Sequence, residues 1–141
     1  MSGFLLDTNV VCETTKPQPD ARVLAWVGRQ SGDAVFISAI TLGEVRHGAL
    51  LLDEGRRKQA LLHWIDGTLK PQFAGRILPA DADVMERWAA LQAECQRGGQ
   101  RLPLADSIIA ATALAHGLTA ATRNTADFRR ANVPVLNPWE G

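Results

Sequence analysis

Gly3-Phe4-Leu5-Leu6-Asp7 is a short apolar run that ends in a carboxylate. It stands too near the start of the chain for a long helix and reads as a buried strand. Similar runs recur outward from it. Ala34-Val35-Phe36-Ile37-Ser38 is rich in β-formers and reads as a second strand. Arg76-Ile77-Leu78, before Pro79, is a short third, and Leu118-Thr119-Ala120-Ala121-Thr122 a fourth of weak β-propensity. Val133-Pro134-Val135-Leu136 is the last, and its proline points to a sheet edge.

Helical periodicity fills the intervals. Residues 20–29 carry a stripe of Val23, Leu24, Trp26 and Val27, stopped by Ser31-Gly32-Asp33. Residues 41–52 are helical in period, and residues 56–69 form another amphipathic helix, closed by Pro71. Residues 81–97 place Val84, Met85, Trp88, Leu91 and Cys95 on one face, before a Gly98-Gly99 stop. Residues 104–116 are apolar around most of the helix, which marks it as central, and Gly117 ends it. Residues 126–131 make a short helix. Strands separated by whole helices cannot pair as hairpins; crossover connections make the sheet parallel. The expected architecture is one α/β domain over residues 1–141, with helices on both faces of the sheet. In such sheets the functional crevice lies at the carboxyl ends of the strands.

Composition narrows the class. A chain of 141 residues that is 46% hydrophobic suits one domain with one sizeable core, not a disordered tail. Fifteen basic against fifteen acidic residues leave no overall electrostatic footprint for nucleic acid, so any basic patch is local. Cys12 and Cys95 are too few for a disulfide scaffold and too far apart for a CxxC metal knuckle. With no signal-like start, the chain is expected to be cytoplasmic with reduced thiols. Apolar runs such as Ile108-Ile109-Ala110-Ala111 fall far short of the roughly 20 residues of a membrane span.

Four carboxylates stand at or near the strand ends. Asp7 ends the first strand, and Glu44 falls in the first turn of the helix after the second. Asp106 opens the central helix, and Asp127 follows the fourth strand. Carboxylates brought within a few ångströms repel, so some are protonated or a cation holds them together. An acidic set without His or Cys favours the hard ions Mg²⁺ and Mn²⁺ over zinc. Each residue also has a local explanation. Asp7 can accept backbone N–H bonds in a turn. Thr41-Leu42-Gly43-Glu44 has capping-box spacing. Asp106 complements a helix dipole, and Asn124-Thr125-Ala126-Asp127 is another cap-like spacing. Independent capping does not explain why acids recur at one edge of the sheet.

Leu5-Leu6-Asp7-Thr8-Asn9, Ser38 to Glu44 with Arg46 and Gly48, Leu104-Ala105-Asp106-Ser107-Ile108-Ile109-Ala110, and Thr122-Arg123-Asn124 through Asp127-Phe128 together resemble the PIN-domain ribonucleases. The likeness is greatest to the VapC/FitB-type toxins of bacterial toxin–antitoxin pairs, and it spans nearly the whole chain. The resemblance implies a PIN-like three-layer sandwich acting as a metal-dependent endoribonuclease, with Asp7, Glu44, Asp106 and Asp127 as its acidic set. Asp7 and Asp106 are the expected direct ligands of Mg²⁺ or Mn²⁺, with Glu44 acting through water or orienting the nucleophile. Asp127 is the member whose position varies most in such proteins. Thr8, Asn9, Thr122 and Asn124 offer neutral hydrogen bonds to water or phosphate, or serve as caps and turns. Arg123, with Arg129 and Arg130, stands where it can meet RNA phosphates. The resemblance also implies a homodimer and a cognate antitoxin, laid over a groove near the site.

Other chemistries find less support. No GxxxxGK[ST] or GxGxxG is present, and Gly98-Gly99 reads as a helix stop. His47, His63 and His116 have unrelated spacings, and neither Ser38 nor Ser107 has a histidine placed for a triad. Arg56-Arg57-Lys58 reads as a solvated face. Trp26, Trp64 and Trp88 lie on apolar stripes and read as core or interface, while Trp139 anchors the tail. Apolar helix faces bearing Trp26, Trp64, Leu50, Leu51, Leu52, Leu61 and Leu62 exceed what one small sheet covers, which marks partner surfaces. Two other readings use the same residues: a catalytically weak PIN-fold binding module acting through its antitoxin, and an aspartyl-phosphate phosphatase. The phosphatase wants a second Asp two positions after Asp7, where Asn9 stands.

Overall fold

The computed structural model describes residues 3–140, so positions 1, 2 and 141 of the expected domain lie outside the described residues. Five parallel strands run β1 (Phe4–Leu6), β2 (Val35–Ser38), β3 (Ile77–Leu78), β4 (Thr119–Ala121) and β5 (Val135–Leu136). Their order in the sheet is β3-β2-β1-β4-β5, so Pro134 does precede an edge strand. The order reverses between β1 and β4, where Phe4, Leu5 and Leu6 pair with Thr119, Ala120 and Ala121. That reversal opens the crevice in which ligands of open α/β sheets bind.

Among the described residues the α-helices are α1 (Thr8–Glu13), α2 (Ala21–Arg29), α3 (Ala39–Leu50), α4 (Arg56–Trp64), α5 (Lys70–Gln72), α6 (Ala82–Arg97), α7 (Leu104–His116) and α8 (Thr125–Arg130). Alternation along the strands sorts side chains to two cores. Leu5 and Ala120 face a layer with Val84, Leu102, Ile109 and Phe128, supplied by α6, α7, α8 and their loops. Leu6 and Ala121 face the other, with Val10, Val23, Trp26, Val45, Ile65 and Trp139. The sandwich therefore has the three layers expected. As its apolar circumference implied, α7 is central: every residue from Ser107 to Ala113 is buried. Gly117 ends it in the left-handed conformation, φ 65°, which a glycine enters without a steric penalty.

Several sequence expectations need correction. Residues 8–13 form α1, a helix that no periodicity in the sequence announces, with Asp7 as its N-cap. The helix expected to start at Thr41 starts two residues earlier, at Ala39, because the Ser38 hydroxyl accepts the Ile40 N–H at 3.0 Å and caps it. Thr41 is therefore buried inside α3, the capping box does not form, and Glu44 lies in the second turn. Pro71 does not close the helix after Arg56. The chain continues through a π turn, Ile65–Leu69, into α5. The residue four before the proline, Gly67, lies in that wider turn, where ring and carbonyl are less crowded. Trp26 is buried and Trp64 half-buried in the second core, so the apolar surplus on the helices is smaller than expected. Leu50 and Leu51 at the end of α3 remain exposed, Leu51 at 72%.

A buried polar pair fixes the approach to α7. The Gln92 amide donates to the Leu102 carbonyl and accepts the Leu102 N–H, both at 3.0 Å. The Trp88 indole donates to Ser107 Oγ at 2.8 Å. These bonds tie the Arg101-Leu102-Pro103 segment to α6 and set where the first turn of α7 begins.

Candidate active site

Because α7 leads into the start of β4, its own first turn lies at the carboxyl edge of the sheet. Asp106 thereby joins Asp7, which directly follows β1, and Asp127, in the first turn of α8 after β4. Glu44 reaches the same mouth from α3.

Asp7 is 3% exposed. Its backbone N–H continues the ladder to the Ala121 carbonyl at 2.9 Å, which fixes it beside the end of β4. Its Oδ1 accepts the Thr8 N–H at 2.8 Å, and its Oδ2 accepts the Thr122 hydroxyl at 2.8 Å. A longer contact, 3.4 Å, comes from the Asn9 amide. Asp7 thus caps α1 with one carboxylate oxygen while the other is held from the end of β4. Thr122 in turn accepts the Asn124 N–H at 2.9 Å, and Asn9 Oδ1 accepts the Arg123 N–H at 3.4 Å.

Glu44 is exposed, and its Oε1 accepts the Thr8 hydroxyl at 2.6 Å. The hydroxyls of Thr8 and buried Thr41 meet at 3.1 Å. Thr8 has one proton, so with it on Glu44 the Thr41 hydroxyl donates to Thr8. Asn124 flanks α8 without capping it by its side chain. Its Nδ2 instead bridges Asp106 Oδ2 at 3.1 Å and Asp127 Oδ2 at 2.9 Å. Asp127 also pairs with Arg130. The sequence offered a donor set here; it did not show that most of these donors are already committed to carboxylates.

Electrostatics carry the signature of crowding. Burial pushes the Asp106 carboxyl up to about 6, helped by repulsion from Asp7, Asp127 and Glu44 and opposed by the Asn124 bond. Burial raises Asp7 as well, against the Thr122 and Thr8 bonds, with Glu44 adding to the rise. Among the described residues, Asp7, Glu44 and Asp106 form no ion pair with a lysine or arginine; only Asp127 has one, with Arg130. No three His, Cys, Asp or Glu side chains among the described residues stand close enough to hold one ion between them. His47 and His63 are exposed, and His116 is at the far end of α7 from Asp106.

A pH dependence follows. In the unfolded chain an aspartate ionises near pH 4. Folded Asp106 keeps its proton to about pH 6. Between these values the folded state binds more protons, so stability without metal falls as pH rises and levels off above about 6. Asp7 adds in the same direction. Melting temperatures of the EDTA-treated protein should decline over that window, and the decline should shrink in Asp106→Asn.

Comparison with known proteins adds the lineage. Residues 4–134 match the PIN domain, and the chain belongs to the PIN-domain family. It is similar to Toxin FitB of Neisseria gonorrhoeae, 44% identical over 136 residues, covering 96% of this chain and 98% of that protein. It is similar to VapC ribonuclease Y4jK of Sinorhizobium fredii, 41% identical over 137 residues, covering 97% and 98%. The crystal structure of FitAcB from Neisseria gonorrhoeae matches with TM-score 0.94 at 43% identity, over 98% of this chain and 99% of that one. The sandwich and the family expected from the sequence are both borne out.

Proposed function

We propose that this chain is the ribonuclease toxin of a toxin–antitoxin pair, a single PIN-like domain that hydrolyses RNA phosphodiester bonds with Mg²⁺ or Mn²⁺. The observation that carries the proposal is the convergence of Asp7, Asp106, Asp127 and Glu44 at the β1–β4 crevice, with Asp106 forced up to about 6 by burial and its acidic neighbours. Hard oxygen donors of which three, Asp7, Glu44 and Asp106, have no lysine or arginine partner among the described residues fit a hard divalent cation. Mg²⁺ is commonly held by one or two carboxylates with waters completing its shell, so a cluster too open to hold an ion by three side chains still suits it. Relatives named as ribonuclease and toxin support the same reading.

Asp7 and Asp106 would hold the ion. Such an ion offsets charge on the phosphate and lowers the pKa of a water nucleophile. Glu44, oriented by Thr8, faces the open side of the mouth and would direct that water. Asp127 completes the ring through Asn124. Asn9 and Thr122 set the Asp7 carboxylate, and Arg123 at the rim contacts the RNA backbone. The exposed Leu50 and Leu51 suit a homodimer contact, and a small antitoxin protein would cover the mouth. Among the described residues no helix is long and apolar enough to cross a membrane.

Protein freed of any partner should cleave single-stranded RNA with Mg²⁺ or Mn²⁺ and stop with EDTA. Cleavage that persists in EDTA, or none with either ion, overturns the proposal.

A further inference from the structure

We infer that Trp139 is a positioning residue for Arg123, holding its guanidinium as a preset phosphate contact at the mouth of the crevice. The inference rests on the ribonuclease reading above. Arg123 follows Thr122, whose hydroxyl is bonded to Asp7, so its backbone is fixed at the site. Its N–H is held by Asn9 Oδ1. Its side chain is exposed and, among the described residues, makes no ion pair or hydrogen bond to a carboxylate. What it meets is an aromatic face: the guanidinium carbon lies 5.0 Å from the centre of the Trp139 ring.

Trp139 is itself firmly placed. It is 5% exposed, packs in the core of Leu6, Val23 and Trp26, and its backbone N–H donates to Asn137 Oδ1 at 2.9 Å. A buried ring under an exposed arginine has a definite consequence. Stacking uses the flat face of the guanidinium and leaves its edge N–H groups free. Those edges bind a phosphate in bidentate fashion, and a guanidinium already ordered loses less entropy on doing so. The contrast with Arg130 is clear, since Arg130 is committed to Asp127. Without the ring, Arg123 samples many rotamers and its phosphate contact weakens. The Trp139 ring acts through Arg123 and does not itself touch RNA.

The test is a double-mutant cycle on cleavage of a short single-stranded RNA with Mg²⁺. Trp139→Leu should raise KM about threefold to fivefold, with kcat changed by less than about twofold. Trp139→Phe, which keeps an aromatic face, should raise KM by no more than about twofold. In an Arg123→Ala background, neither substitution should raise KM further. The slope of log(kcat/KM) against log salt should be shallower by the same amount in Trp139→Leu and Arg123→Ala, about 0.7 for one lost phosphate contact. Should Trp139→Leu fail to fold, Trp139→Met takes its place in the cycle, with the same rise in KM expected because it too removes the aromatic face. An unchanged KM in the non-aromatic variant, or an equal rise with and without Arg123, overturns the inference. So does an effect confined to affinity for a protein partner. Inactive wild-type protein overturns the ribonuclease reading and this inference together, whereas active wild type with additive effects overturns the inference alone.

Discussion

Asp106→Asn should lower RNA cleavage by more than about a hundredfold while leaving the fold intact. Removing groups that merely support a metal ligand typically costs 10- to 100-fold, and a ligand should cost more. The substitution is close to isosteric, and its side-chain oxygen can still accept the Asn124 amide that Asp106 accepts at 3.1 Å. Asp7→Asn should lose as much activity, but it disturbs more. Its Oδ2 takes the Thr122 hydroxyl and the Asn9 amide, and an amide nitrogen placed there would face donors. Asp106→Asn is therefore the cleaner variant. Cleavage rates with circular dichroism as the folding control check both, and full activity in both would remove the carboxylates from the chemistry.

Metal should act on stability through the same residue. At a hundred times its dissociation constant, a ligand that binds only the folded state stabilises it by about 2.7 kcal/mol. Wild-type protein should therefore melt higher with saturating Mn²⁺ than in EDTA, and Asp106→Asn should gain much less. In EDTA above pH 6 the order should reverse, with Asp106→Asn melting no lower than wild type, since neutralising one acid relieves repulsion from Asp7, Asp127 and Glu44. Scanning calorimetry of both proteins in both conditions checks this. A large loss in EDTA would mean that Asp106 serves the helix terminus.

The strands and most helices were legible because their residues act locally. The run from Phe4 to Leu6 and the Gly117 stop carry their information within a few neighbours. The missed α1 is only six residues, too short for periodicity to show, and its start depends on Asp7 acting as cap and site residue at once. Thr41 misled because its spacing to Glu44 fits a cap, while Ser38 had already taken that role at the end of β2. The acids themselves could be found from their positions after strands. Their partners could not: Thr8 meets Glu44 across 36 positions, and Thr122 meets Asp7 across 115. Only the reversal of strand order between β1 and β4 brings those segments together, and no pattern within one segment encodes it. Asn124 shows the same limit. Its sequence context suggests a cap, and only the tertiary placement of α7 gives it two carboxylates to bridge.

The proposed ribonuclease activity depends on a divalent-metal site in the crevice between β1 and β4. Crystals of the protein soaked in Mn²⁺ and measured near the manganese absorption edge test it most directly. The expected result is an anomalous-difference peak contacted by the carboxylates of Asp7 and Asp106, absent from crystals of Asp106→Asn. A peak only elsewhere on the molecule, or an unchanged peak in that variant, would contradict it.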